Sequence, residues 1–240
     1  MMRVKLDRQQ VSRGSLVLVN RNHPVTRRLG KKSLGLVGQG IAMEAVAAAQ
    51  LNKLLKDQTD IVCVSGFRSR EEQERIYTDS LQENGEAFTR QYVAMPSHSE
   101  HECGLAIDLG ENRQDIDFIR PAFPYEGKCQ AFRDKLPDHG FIQRYEAGKE
   151  TVTGISHEPW HFRYVGLPHS LMIRDLGVSL EEYIRMLREK EVFTWNWQGR
   201  EINVRYVLAK EGGDTVCHVP EDSAYQISGD NVGGFVVTWL

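Results

Sequence analysis

Apolar residues recur at helical spacing early in the chain and give way later to short strand-like runs. Residues 40–56 carry apolar side chains at every third or fourth position, which predicts a core helix. Ser69 and Glu72 form a capping-box pattern, which predicts a second helix from Arg70 to about Gln82. This order predicts an α+β fold, with helices packed on a central antiparallel sheet, rather than a doubly wound sheet. Strands are predicted at residues 16–20, 61–64, 104–109, 141–145 and 160–165, and further helices at 86–94 and 130–138.

The chain changes character after residue 170. Ser179 and Glu182 repeat the capping-box pattern and predict a helix that ends near Lys190. We therefore predict one domain at residues 1–170 and a small β-rich C-terminal extension at residues 171–240. The strand-like segments of this extension are residues 192–197, 202–208, 215–219 and 235–239.

The bulk composition excludes several classes of function. The 240 residues carry a net charge of -3, whereas a nucleic-acid-binding protein normally presents a basic face, so no nucleic-acid partner is expected. The N-terminal residues lack the apolar core of a signal peptide, and no apolar run approaches the ~20 residues that span a bilayer. The four cysteines form no CxxC pair and are expected to be reduced thiols. These features predict a soluble, cytoplasmic protein without a membrane span.

Histidine and acidic residues cluster in two segments, residues 97–108 (SHSEHECGLAID) and residues 157–161 (HEPWH). Catalytic zinc typically takes three protein ligands from His, Asp, Glu or Cys and leaves one position for water. His101, Asp108 and His161 supply such a set. His101 comes just before a predicted strand, Asp108 lies near the end of that strand, and His161 begins another. The two clusters together therefore indicate a metal centre.

A second set of zinc ligands competes with the first. His157 and His161 match the HExxH pattern, in which both histidines bind zinc from one face of a helix. Pro159 lies inside the required helical turn, where it would remove a backbone donor and clash with the preceding turn. This disfavours the HExxH set on physical grounds. Glu158 stands three residues before His161 in both sets, so both predict it as the catalytic base.

Three motifs, in the same order, resemble those of the LAS metallopeptidases, named for lysostaphin, the D-Ala-D-Ala peptidases and the sonic hedgehog domain. Residues 99–108 are similar to the SxHxxGxAxD motif of this family, and residues 158–166 (EPWHFRYVG) to the second motif of its D,D-carboxypeptidase branch. Residues 65–69 (SGFRS), with Gln73, resemble the SGYRS segment of that branch. The resemblance covers about residues 15–166. It is closest to the VanXY-type bifunctional D,D-dipeptidase/D,D-carboxypeptidases of glycopeptide-resistant bacteria.

The resemblance implies a role for the polar residues of these motifs. His101, Asp108 and His161 would hold Zn²⁺, which favours this set over the HExxH set. Glu158 would take a proton from the attacking water and pass it to the leaving amine. Arg68 would stabilise the negative charge that develops on the carbonyl oxygen.

Other residues near the motifs receive weaker assignments. Gln73 and Ser99 are candidates for binding the peptide or carboxylate groups of the substrate. Trp160 is a candidate wall for the pocket of a D-Ala side chain. Glu100 and Glu102 are expected to be solvated.

The sequence departs from the family pattern at two positions. Phe67 replaces the usual Tyr of the SGYRS segment, which is a conservative change. His157 stands where the family usually has Tyr. That change creates the HExxH match but removes none of the implied zinc ligands.

The resemblance implies hydrolysis of D-Ala-D-Ala, as the free dipeptide and at the end of peptidoglycan pentapeptide precursors. In a cell that uses modified precursors, this activity would remove the target of vancomycin. A phage-type endolysin would instead cut an L-Ala-D-Glu bond and would carry a wall-binding appendage, which the C-terminal extension does not obviously resemble. A hedgehog-like binding module would keep a zinc site without catalysis, and the presence of both Glu158 and Arg68 argues against it.

Overall fold

The computed structural model describes residues 1–239, which fold into two compact units. The central unit is Val19–Ser179, and the terminal unit is Met1–Leu18 together with the chain from Leu180 onward. The structure combines α-helices with antiparallel sheets, so the predicted α+β class is confirmed. In chain order the elements are β1 (Met2–Leu6), β2 (Leu34–Val37), β3 (Ile41–Glu44), α1 (Ala45–Leu55), β4 (Ile61–Ser65), α2 (Arg70–Tyr92), β5 (Ala106–Glu111), α3 (Gly127–Arg133), β6 (Phe141–Tyr145), α4 (Glu150–Thr153), β7 (Glu158–Tyr164), α5 (His169–Leu176), α6 (Leu180–Lys190), β8 (Val192–Trp197), β9 (Arg200–Leu208), β10 (Thr215–Val219), β11 (Tyr225–Gly229) and β12 (Gly234–Trp239).

The two units do not coincide with the predicted division of the chain. Residues 1–18 group with the C-terminal part, and the later boundary follows Ser179. The division into a peptidase domain at residues 1–170 and an extension at residues 171–240 stays a prediction. Across residues 1–239, no helix combines the length and apolar character needed to cross a bilayer.

The central unit is built on a four-stranded antiparallel sheet of order β4-β5-β7-β6. Successive side chains of a strand point to opposite faces. Ile107, Leu109 and Phe162 are fully buried at 0% exposure. Asp108 and His161 are directly paired across β5 and β7, and their side chains therefore share one face of the sheet. This register places a carboxylate beside an imidazole at the middle of the sheet.

The helix predicted at residues 40–56 begins later than expected. Its first residues form β3, which pairs with β2 in a hairpin whose turn contains Gly38 and Gly40, both at positive φ. The carboxylate of Glu44 then accepts hydrogen bonds from the N–H groups of Val46 and Ala47 and caps α1. The prediction failed because the apolar residues of β3 also match the helical spacing that continues into α1.

The capping box at the start of α2 is confirmed. The Ser69 hydroxyl accepts from the Glu72 N–H, and the Glu72 carboxylate accepts from the Ser69 N–H. Gly85, at φ 79°, kinks the helix, and helical residues continue to Tyr92. The helix predicted at residues 86–94 is therefore the second half of α2.

Two other predicted elements differ from the structure. The helix expected at residues 130–138 is split into α3 and a 3-10 helix at Leu136–His139, because Pro137 cannot donate a backbone hydrogen bond. The strand expected at residues 16–20 is absent, although the segment is buried up to Val19. Within the terminal unit, the backbone of this segment forms individual hydrogen bonds instead of pairing as a strand. The Leu18 N–H, for example, donates to the carbonyl of Asp230.

The terminal unit is rich in strands, as predicted for the C-terminal part. Its sheets have the orders β11-β12-β9-β8 and β1-β10, and the predicted strands at residues 192–197 and 215–219 are confirmed. Helix α6 of this unit buries one face, and the buried residues recur every three or four positions. The buried core between strands includes Leu6, Cys217, Val219, Phe235 and Val237.

Candidate active site

Three side chains of the central unit converge from different elements. Asp108 lies on β5 and His161 on β7, in direct register. His101 lies in a 3-10 helix, Glu100–Cys103, which leads into β5. Gly104 ends that helix at φ 71°, and a Cβ there would lie 2.8 Å from a methyl carbon of Leu29, so the turn requires glycine.

The ligand atoms of His101, Asp108 and His161 all lie within 4.8 Å of one another. His101 Nε2 is 3.2 Å from Asp108 Oδ2, and His161 Nδ1 is 3.0 Å from Asp108 Oδ1. Ligands of a tetrahedral zinc ion at about 2.0–2.1 Å lie about 3.3 Å from each other. All three residues are buried. Their spacing and chemistry therefore fit the predicted zinc ion.

The hydrogen bonds of the two imidazoles determine which nitrogen each one offers. His101 Nδ1 lies 2.7 Å from the carbonyl oxygen of Gly66, which can only accept, so Nδ1 donates and Nε2 faces Asp108. His161 is turned the other way, with Nε2 3.4 Å from Glu100 Oε2 and Nδ1 facing Asp108. Metal-binding histidines usually donate their second N–H to a carbonyl or carboxylate. The sequence did not identify these two partners.

The prediction that Glu100 is solvated is wrong, because the residue is buried at 2% exposure. Its Oε1 accepts from Arg144 Nε at 2.8 Å and from Arg163 Nη1 at 2.7 Å. Burial alone would raise the pKa of Glu100, but the two guanidinium groups hold it well below its usual range. Glu100 is therefore an ionised carboxylate that anchors His161. Glu102 is also buried, at 6% exposure, against the same prediction.

The variant Glu100→Gln is expected to lower the free energy of unfolding by about 3–5 kcal/mol, because two buried guanidinium groups lose a shared counter-charge. Zinc affinity should fall by about 10–100-fold, since His161 loses its charged acceptor. Urea unfolding and competition with a zinc chelator measure the two effects. Glu102→Gln is the matched control, since Glu102 instead accepts from the Ser97 N–H at 2.7 Å. Equal losses in both variants would contradict a specific role for Glu100.

Glu158 is the first residue of β7 and is buried at 5% exposure. Its Oε2 is 3.7 Å from His161 Nδ1. Burial raises the pKa of Glu158 to about 8, and the nearby His161 partly opposes this shift. In the metal-free protein this carboxyl group is largely protonated at neutral pH, and the positive charge of a bound zinc ion would favour its ionised form, as a general base requires.

Arg68 lies between β4 and α2 and is held by three neighbours. Its Nε donates to Ser65 Oγ at 2.9 Å, its Nη1 to Gln73 Oε1 at 3.3 Å and its Nη2 to Asp108 Oδ2 at 3.0 Å. Gln73 is 1% exposed and donates to the carbonyl of Ala94 at 2.8 Å. The guanidinium is thus fixed beside the candidate metal ligands instead of lying in a surface salt bridge.

The predicted site residues line one cleft of about 410 Å³, with one exception. Gln73 does not line this cleft and contacts it through Arg68. Ser99 lines the cleft, and its hydroxyl accepts from the His101 N–H at 3.3 Å. The cleft-lining residues among the predictions are Arg68, Ser99, His101, Asp108, Glu158, Trp160 and His161.

His157 lies outside this group. Its Nε2 is 2.7 Å from the hydroxyl of Tyr125, and the two rings are stacked. The residues of the HExxH match lie in and before strand β7, not in a helix. A strand advances about 3.3 Å per residue, so positions four apart are about 13 Å apart and cannot share one zinc ion. The geometry thus favours the set built on His101 and Asp108.

Zinc uptake by the metal-free protein is expected to strengthen as the pH rises toward about 9. Burial alone would lower the pKa of His161, but Asp108 and Glu100 raise it to about 9. Zinc needs an unprotonated nitrogen, so below that pH each binding event displaces a proton, and affinity falls by up to about tenfold per pH unit. Calorimetry at about pH 6 and about pH 8, in buffers of different ionisation enthalpy, counts the released protons. A pH-independent affinity would contradict this assignment.

Comparison with known proteins identifies the family. Residues 40–167 match the family model of VanY, described as D-alanyl-D-alanine carboxypeptidase. The chain belongs to the VanY family. Over 176 residues it is 42% identical to the bifunctional D-Ala-D-Ala dipeptidase and D-Ala-D-Ala carboxypeptidase VanXYC of Enterococcus gallinarum, with 70% of this chain and 93% of the relative covered. The predicted resemblance is therefore confirmed.

Solved structures from the VanY family and its relatives support the same conclusion. The vancomycin resistance D,D-dipeptidase VanXYg, in complex with a D-Ala-D-Ala phosphinate analogue, matches with a TM-score of 0.94 and 48% identity over 100% of this chain and 99% of the other. A variant of the VanY D,D-pentapeptidase from a VanB-type resistance cassette, in complex with Zn(II), matches with a TM-score of 0.56 and 28% identity over 71% of this chain and 98% of the other. The donor set described above is consistent with such a zinc ion.

Proposed function

We propose that this protein is a zinc-dependent D,D-peptidase that hydrolyses D-Ala-D-Ala, both as the free dipeptide and at the C-terminus of peptidoglycan pentapeptide precursors. One observation carries the proposal: a buried His-Asp-His donor set, a buried glutamate and a fixed arginine line the same cleft. The similarity to VanXYC and VanXYg supports the choice of substrate. In a cell with modified precursors, this activity removes the target of glycopeptide antibiotics. A cytoplasmic location stays a prediction.

The residues of the cleft have different roles in the reaction. His101, Asp108 and His161 would hold the metal, which would supply a water of lowered pKa and polarise the scissile carbonyl. Glu158 takes a proton from the attacking water and delivers it to the nitrogen of the leaving D-Ala. Arg68, pre-aligned by Ser65 and Gln73, stabilises the negative charge on the carbonyl oxygen at the tetrahedral stage.

Other cleft residues are assigned to substrate binding. Ser99 has its hydroxyl at the cleft surface beside His101, where it can bond a peptide or carboxylate group. Trp160 forms a wall of the cleft and is 8% exposed, which suits contact with a small D-Ala methyl group. Gln73 acts as a positioning residue, because its side chain reaches the cleft only through Arg68.

The test is release of D-Ala by zinc-loaded protein from D-Ala-D-Ala and from a pentapeptide that ends in D-Ala-D-Ala. We expect release from both substrates, loss of activity with a chelator, and recovery with zinc. L-Ala-L-Ala serves as the stereochemical control, and a peptide with an L-Ala-D-Glu bond tests for endolysin activity. Absence of D-Ala from both substrates, or cleavage of the L-Ala-D-Glu bond alone, would overturn the proposal.

A further inference from the structure

A second pocket of about 270 Å³ lies in the central unit next to the cleft. Val93, Ala94, Tyr145 and Ile155 line both cavities, so the two share a wall. The two cavities therefore adjoin each other along these four residues. The chemistry described above uses no residue that lines the second pocket alone.

The second pocket and the cleft differ in the kind of charged side chains that line them. Arg21, Arg90 and His98 line it, and no carboxylate side chain among residues 1–239 does. The cleft, by contrast, is lined by Arg68 and by five acidic side chains, those of Asp79, Glu83, Glu100, Asp108 and Glu158. Glu100 and Asp108 already pair with guanidinium groups, so Asp79 and Glu83 are the carboxylates that would repel a negatively charged group from their side of the cleft. The second pocket would attract the same group.

The second pocket combines fixed and adjustable contacts. His98 is held by its Nδ1, which lies 2.8 Å from the carbonyl oxygen of Asn20. Arg90 pairs with Glu86 at 2.6 Å, but both side chains are about two-thirds exposed, at 68% and 67%. Such solvent-exposed pairs contribute little to stability, so a ligand carboxylate can replace Glu86 at small cost. Tyr77, on the same helix as Arg90, adds an aromatic surface.

We propose that the second pocket is a subsite for a peptide longer than the dipeptide, and that it binds a carboxylate upstream of the scissile bond through Arg21 and Arg90. This inference rests on the proposed function. The dipeptide ends inside the cleft and does not use the subsite. The pentapeptide extends past the shared wall and does.

The double variant Arg21→Gln/Arg90→Gln tests the subsite, because both side chains are exposed and neither belongs to the catalytic machinery. Three zinc-dependent activities are compared: on D-Ala-D-Ala, on a pentapeptide with an upstream Glu, and on the same pentapeptide with Gln in its place. We expect the double variant to lower kcat/KM about tenfold for the Glu pentapeptide and to leave the other two activities unchanged. The decrease should come mainly from a higher KM, because the variant loses a hydrogen bond to a charged group. Raising the salt concentration should shrink the wild-type preference for Glu over Gln.

Arg28→Gln is the control for loss of surface charge, since Arg28 pairs with Glu71 at 3.5 Å and lines neither cavity. Equal losses on the dipeptide and both pentapeptides would overturn the subsite, and so would unchanged activity on the Glu pentapeptide. Wild-type protein that cleaves the dipeptide but neither pentapeptide would also overturn it. Failure of the proposed function is distinguishable, because wild-type protein would then release D-Ala from none of the three.

Discussion

Glu158→Gln is expected to lower kcat for D-Ala-D-Ala hydrolysis by about 10²–10⁴-fold, the contribution typical of a general base. The amide has nearly the same shape as the carboxylate but cannot take a proton from the attacking water. Zinc content should stay at one ion per chain, since the donor set is His101, Asp108 and His161. The fold should also persist, because the variant removes a carboxyl group that burial already disfavours as an anion.

The measurement combines steady-state D-Ala release with zinc analysis of the same samples. Glu102→Gln is the control, since burial also raises the pKa of Glu102 but its side chain does not line the cleft. A Glu158→Gln protein with near wild-type kcat would show that another group is the base. Loss of zinc together with activity would instead place Glu158 among the ligands.

Asp108→Ala is expected to abolish stoichiometric zinc binding and with it D-Ala release. The substitution removes the central donor, which contacts both imidazoles, at 3.2 and 3.0 Å. It also frees Arg68, whose Nη2 lies 3.0 Å from the same carboxylate. The affinity loss should exceed the about 10–100-fold change that follows removal of a hydrogen-bond partner outside the ligand set.

His157→Ala is the matched comparison, because it removes the histidine of the competing HExxH set. Its ring contacts Tyr125 and not the donor set, so the variant should keep one zinc ion per chain and most of its activity. Zinc analysis after dialysis measures both proteins. Retention of zinc by Asp108→Ala together with its loss from His157→Ala would contradict the account.

Local sequence patterns predicted two candidate sets of zinc ligands, because their members sit in short motifs, and the family resemblance favoured His101, Asp108 and His161. The spacing of His101 and Asp108 spans one turn and one strand, and Pro159 was enough to disfavour a helical HExxH. The strand at Phe141–Tyr145 was also predicted at its observed bounds, since the segment lies between Gly140 on one side and a polar turn on the other. Such features depend on neighbours within a few residues.

Features that depend on distant residues were missed. Glu100 was predicted to be a solvated neighbour of His101. Its burial depends on ion pairs with Arg144 and Arg163, which lie on β6 and β7 and come close to Glu100 only in the folded sheet. The start of α1 was misplaced because strand pairing with β2 overrode a helical pattern. The second pocket was not visible in the sequence either, since Arg21 and Arg90 lie far apart along the chain.

The most direct test of the account is zinc-edge anomalous diffraction from crystals of the zinc-loaded protein. We expect a strong peak about 2.0–2.2 Å from His101 Nε2, an Asp108 carboxylate oxygen and His161 Nδ1, with Glu158 beside it but not bound. A peak coordinated by His157, or one that lacks Asp108 as a ligand, would contradict the central claim.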